Sequence, residues 1–186
     1  MILASVQAVQ GALTQGREPV LLPVIIGGVL VVLSMWWLYF KRDHVPLFER
    51  SVRTTFTVGY GHYAVFASVA ATGAGLAAAV DLVQGEGHTT PRAVGLALGL
   101  SVATYVGTLT TMHAFVGQDR PQTPGGVVVA VAAVAIGASG MPLGIAVLLL
   151  GLLLTAAVAH SAVSSRPAAW GPTDGPGVAG TAISRR

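Results

Sequence analysis

The chain contains no cysteine. Disulfides, thiolate nucleophiles, cysteine-held iron–sulfur clusters and thiolate zinc sites are therefore excluded. Charge is scarce too: Asp, Glu, Lys and Arg make up 9% of 186 residues, where a soluble domain carries about 25%. So few charges cannot wet the surface of a globule, although the length alone would suit one soluble domain. The seven acidic residues fall in loops, at span ends or in the C-terminal tail. That leaves no carboxylate pair at membrane depth, no nucleophile beside a base and no metal-ligand cluster, and the expectation is a protein that is not an enzyme. The ten basic residues are scattered through short links, without a patch of interleaved aromatics, so the net charge of +3 does not point to nucleic acid. No basic stretch precedes the first apolar residues, and the N-terminus does not read as a cleaved signal peptide.

What the chain has in abundance is apolar length. Hydrophobic residues are 53% of the total and the mean hydropathy is +0.73. A hydrocarbon core of about 30 Å takes roughly 20 apolar helical residues to cross. Val20–Phe40 is such a run and holds no charge. Pro19 and Pro23 read as first-turn residues, where a missing N–H costs little. Trp36, Trp37 and Tyr39 form an interfacial belt before KRDH at 41–44. Thr55–Val80, closed by a capping Asp81, and Ala93–Phe115, opened by Pro91 and Arg92, are the next two spans. Gly126–Ala138 is short, about 20 Å of helix, and Ser139-Gly140-Met141-Pro142 turns it into the full span Leu143–Val163. The 24 glycines fit close helix packing.

The ends are different. Leu3–Thr14 carries Gln7, Gln10 and Thr14 on one face and Leu3, Val6, Val9 and Leu13 on another. It reads either as an interfacial amphipathic helix or as the remainder of a transmembrane one. The tail is rich in Pro, Gly, Ser and Ala, with little to bury. The expected architecture is all-α: a polytopic transmembrane helix bundle of five spans plus a partial or interfacial N-terminal helix. It occupies residues 1–165, followed by a disordered cytoplasmic tail over 166–186. If the spans alternate, Lys41, Arg42, Arg50, Arg53, Arg120, Arg166, Arg185 and Arg186 share one side, against Arg17 and Arg92 on the other. The excess of Lys and Arg marks the cytoplasmic side, so the 41–53 loop and the C-terminus are expected there.

Candidate polar sites are few. VGYGHYAVF at 58–66 places His62 between Tyr60 and Tyr63 inside an apolar run, and His113 and His160 fall within later spans. All three histidines lie in the cytoplasmic half, a depth that suits a proton relay or metal site. It suits equally a neutral imidazole that snorkels or bonds to a carbonyl. On the second span, Thr54, Thr57, Gly61, Ala64, Ser68, Thr72 and Gly75 form a seam of small residues that admits a neighbouring helix. Phe56, Tyr60 and Tyr63 form a second face; His62 belongs to a third, with Val58, Val65, Val69 and Leu76, which meets either lipid or the interior. On the third span Gly95, Gly99, Ala103 and Gly107 recur every four residues as a packing stripe. Ser101, Thr104, Thr108 and Thr111, with Tyr105 beside them, make a hydroxyl stripe that either cements helices or lines a solute path.

WWLYFKRD at 36–43 and RTTFTVGYGHYAVFASVAATGAGLAAAVD at 53–81 resemble the bacterial low-temperature-requirement protein A family, and the later hairpin does too. The resemblance runs from about residue 2 to 163, with the GYGHY region its distinctive part. It implies a multi-pass protein of the bacterial inner membrane. It also implies a chain matching the C-terminal half of longer family members. Where they carry a Gly-Glu-Ser-like stretch this chain has MILAS, which favours a truncated first helix. The family's name records growth in the cold rather than a molecular activity. The leading expectation is a non-enzymatic, transporter-like bundle without a cofactor, whose partner is the lipid bilayer. One alternative is a haem-binding membrane protein using two histidines such as His62 and His113 as axial ligands. Another is a structural half-bundle completed by an N-terminal half or a second copy.

Overall fold

In a computed structural model, residues 18–40, 52–116 and 123–164 are described, and all of their regular structure is helical. The helices are α1 (Glu18–Phe40), α2 (Val52–Gln84), α3 (Pro91–Val116), α4 (Thr123–Ala138) and α5 (Leu143–Ser164). Four segments are long and apolar enough to cross a membrane: Leu21–Phe40, Gly59–Gln84, Pro91–Met112 and Leu143–Val163. The molecule is a multi-pass membrane protein. α4 has 16 residues, about 24 Å of helix, and is the shorter member of the α4–α5 hairpin. The expected helix at Leu3–Thr14 and the tail over 166–186 lie outside the described residues.

The helix ends follow from local chemistry. Thr90 precedes α3 and its Oγ1 accepts the Ala93 N–H at 3.2 Å, with Pro91 at the first helical position, where no N–H is needed. α2 continues past Asp81 to Gln84 and stops at Gly85, whose φ of 84° only glycine adopts without strain. The Gly85 N–H donates to the Leu82 carbonyl (3.1 Å) and the Glu86 N–H to that of Asp81 (2.9 Å). Asp81 therefore ends the helix through its backbone, not as the side-chain cap read from the sequence. Pro23 also differs from expectation: it lies inside α1, beyond the first turn. Its missing N–H deprives the Pro19 carbonyl of the usual i+4 donor. Gly140, at φ 73°, makes the turn between α4 and α5, and Ser139 Oγ closes α4 on the Ile136 carbonyl at 2.6 Å.

Neighbouring helices meet where side chains are missing. A Cβ on Gly27 of α1 would lie 2.6 Å from backbone atoms of Val147 and Leu148 in α5, and one on Gly151 would lie 2.7 Å from the Gly27 carbonyl. α3 and α4 cross in the same manner at Gly95, Gly99, Ala133 and Gly137. Such approaches maximise dispersion contact where lipid supplies no hydrophobic drive between helices. The numbering of the contacts fixes the helix directions. Gly61 meets Met112 and Gly75 meets Leu98, so α2 and α3 are antiparallel. Gly95 against Gly137 and Thr110 against Gly126 make α3 and α4 antiparallel. Gly27 with Gly151 and Ser34 with Thr155 make α1 and α5 parallel. Tyr39 beside His62 and Gly28 beside Leu76 set α2 against α1 in the opposite sense. Directions therefore alternate along the whole series.

The centre is filled by Val31, Leu98, Val102, Tyr105, Val147, Leu150 and Leu154, each buried to 2% exposure or less. The outer faces of α1 and α5 carry large apolar side chains such as Leu22, Ile26, Leu33 and Leu152. That inside-out distribution is what a lipid solvent requires.

A candidate intramembrane site between the second and third helices

The small-residue seam of α2 faces α3. Ser68, Thr72 and Gly75 are buried, and the Cβ that Gly75 lacks would collide with the Leu98 side chain. Ser68 Oγ donates to the Val65 carbonyl at 2.7 Å. Thr72 Oγ1 lies 2.8 Å from the Ser68 carbonyl and 2.9 Å from Ser101 Oγ, and Ser101 Oγ is 2.9 Å from the Leu98 carbonyl. The Thr72 and Ser101 hydroxyls hold two protons for three contacts. When Ser101 donates to Leu98, Thr72 donates either across to Ser101 or back to Ser68. Replacing Thr72 by Val together with Ser101 by Ala is expected to reveal a coupling of about 0.6 kcal/mol in a double-mutant cycle of unfolding in detergent. A coupling of zero would show that the hydroxyls do not bond across the helices.

Nearer the end where α2 begins and α3 finishes, the two helices part into a groove of about 370 Å³, open along one side. Gly61, Thr104, Gly107, Thr108, Thr111 and Met112 line it. The hydroxyl stripe of α3 thus divides. Ser101 cements the contact to α2, while Thr104, Thr108 and Thr111 border the groove. Thr104 Oγ1 bonds back to the Leu100 carbonyl at 2.8 Å. Among the glycines read as packing positions, Gly61, Gly75, Gly95 and Gly99 each abut another helix. Gly107 differs, since a Cβ there would meet nothing within 4 Å. It widens the groove rather than admitting a helix.

His62 does not join this groove. Its ring stands edge-on to Tyr39 of α1, centroids 6.1 Å apart, and lies 6.5 Å from Phe66. The imidazole is half-buried where α1 meets α2. Tyr60 and Tyr63 turn outward, 75% and 77% exposed, and His160 is exposed on α5. His113 lies in α3, its side chain outside the described residues. Three of the positions singled out as polar candidates, Tyr60, Tyr63 and His160, thus sit on outer surfaces.

Two polar contacts had no counterpart in the sequence reading. The Tyr105 hydroxyl, at the end of a ring 1% exposed, donates to the Met35 carbonyl of α1 at 2.5 Å. Ser34 Oγ and Thr155 Oγ1 are 3.1 Å apart between α1 and α5. Each is the lone hydroxyl of a long apolar run, Ser34 over 20–38 and Thr155 over 143–159. A solitary hydroxyl in a greasy span was the available signal.

A family model described as Bacterial low temperature requirement A protein (LtrA) matches residues 1–163. No curated protein and no solved structure matches the chain.

Proposed function

This chain belongs to the bacterial low temperature requirement A family, and on that premise we propose a non-enzymatic, transporter-like protein of the bacterial inner membrane. In this reading the groove between α2 and α3 is part of a solute path. The observation that carries it is the hydroxyl-lined space bordered by Thr104, Thr108 and Thr111, kept open by Gly107.

The alternation of helix directions supports five crossings, with α4 as the short one. With that alternation Phe40, Val52, Val116, Thr123 and Ser164 fall at one end of the bundle, the end from which the sequence runs on into the stretches that carry eight of its Lys and Arg residues. By the positive-inside bias that end is cytoplasmic, and the groove lies in the cytoplasmic half. Because the groove is open along one side, a second reading adds a partner half or another copy of the chain as its outer wall.

Gly107→Leu tests the path. The side chain enters empty space, so protein level and fold are expected to be unchanged while the groove is filled. Cells dependent on this protein for growth in the cold are expected to lose that growth with the variant. Normal growth at a normal protein level would remove the groove from function.

A further inference from the structure

The aromatic residues of the described helices are gathered toward one end of the bundle. Residues 1–35, 67–104 and 116–169 contain no Phe, Tyr or Trp. Among the described residues, the end at which α1, α3 and α5 begin is therefore bare of these rings. At the other end rings form an unbroken row across α1 and α2. Trp36 lies 5.2 Å from Phe40, Phe40 5.0 Å from Tyr39, Tyr39 6.1 Å from His62 and His62 6.5 Å from Phe66, centroid to centroid. The Tyr39–His62 contact sets the last turns of α1 level with the start of the apolar stretch of α2.

Interior packing does not account for the row. Trp36, Trp37, Phe40, Tyr60, Tyr63 and Phe66 are each at least half exposed. Elsewhere the outward faces carry aliphatic side chains, such as Ile26 and Val29 on α1, Val128 on α4 and Leu152 on α5. For contact with hydrocarbon those suffice. Trp and Tyr join a flat apolar body to an N–H or O–H, a combination that suits the boundary where hydrocarbon gives way to headgroups. The place fits, since Phe40 ends one apolar stretch and Gly59 begins the next. The height fits too. Trp36 to Phe40 rises about 6 Å along α1, and Tyr60 to Phe66 about 9 Å along α2. The headgroup region of one leaflet is about 5–8 Å deep.

We propose that this two-helix ridge moors the protein to the headgroup layer of a single leaflet, while the opposite end of the bundle has no such hold. The partner is the lipid surface itself. A bundle held at one face adapts to bilayer thickness at the other. Between bilayers of about 27 and 33 Å hydrocarbon thickness, a bundle without preference would share the difference, roughly 3 Å to each end. Here the free end takes all of it.

The absence of cysteine makes the test direct. Leu22→Cys and Leu33→Cys, both at outward-facing positions of α1, each give a single spin-label site, the first near the free end and the second near the ridge. The full chain is reconstituted in bilayers of short and long monounsaturated phosphatidylcholines, and label depth is read by power-saturation electron paramagnetic resonance. In the thicker bilayer the residue-22 label is expected to lie about 6 Å deeper below its nearer headgroups, with the residue-33 label unchanged. Trp36→Leu, Trp37→Leu, Phe40→Leu, Tyr60→Leu, Tyr63→Leu and Phe66→Leu combined keep the surface apolar, and both labels are then expected to sink by about 3 Å. Equal or greater sinking of the residue-33 label with the rings in place would overturn the mooring and leave the ridge to a protein partner. A ring-stripped variant that keeps the unequal pattern would overturn the assignment to these side chains.

Discussion

Gly99→Leu is expected to prevent the bundle from assembling, whereas Gly107→Leu, two turns further along the same helix, leaves it intact. The two positions look alike in sequence, members of one four-residue repeat. At Gly99 a Cβ would lie 2.5 Å from the Ala133 carbonyl oxygen, and backbone on both sides gives it nowhere to go. α4 would have to move off α3, and the reciprocal glycine, Gly137, is packed just as closely on the Gly95 carbonyl. Overpacking of this kind costs roughly 3 kcal/mol or more, a fall of roughly 6–12 °C in the thermal midpoint of a domain this size. In mild detergent the Gly99 variant is expected to aggregate or melt at least that much earlier, with Gly107→Leu indistinguishable from the parent. Equal midpoints for all three proteins would refute the α3–α4 crossing.

The second large effect belongs to Tyr105. Its ring is 1% exposed at the centre of the bundle and its hydroxyl bridges α3 to the Met35 carbonyl of α1. Tyr105→Ala removes both, and the cavity alone is expected to cost about 3–5 kcal/mol. Tyr105→Phe removes only the hydroxyl. A helix carbonyl retains its own backbone donor, so this change is expected to cost about 1 kcal/mol. Unfolding in detergent should separate the variants in that order. If the phenylalanine variant is as damaged as the alanine one, the bridge to Met35 outweighs the packing of the ring, contrary to the burial seen here.

What was legible beforehand follows from where small and polar residues interrupt apolar ones. On α2 and α3 they do so at helical spacing, so the wheel points to the faces that meet: Gly61, Ser68, Thr72 and Gly75 look onto α3, and Gly95 and Gly99 onto α4. α1 and α5 are apolar all round, and such helices show no preferred face. Their junction at Gly27 and Gly151 therefore emerges only from the structure. The face assigned to His62 shows a second limit. Val65 on it is buried, while Val69, four residues on, is 44% exposed. Four residues turn a helix by about 40° beyond a full circle, enough to leave a narrow contact with α1. The groove was half visible: the threonines read as a stripe, but Gly61 and Met112, which complete it, come from pairing α2 with α3. That Gly107 meets no other helix is a fact about an empty neighbourhood, which no spacing rule encodes.

α1 and α5 lie side by side and point the same way. The described bundle therefore starts at one end and finishes at the other. A duplicate of these five helices, joined in tandem after Ser164, would begin where the first stops and be built upside down relative to it. The two halves would be related by a pseudo-twofold axis lying in the plane of the bilayer. Inverted-topology repeats of that kind underlie alternating access in many secondary carriers, and an odd helix count delivers the inversion without an additional crossing.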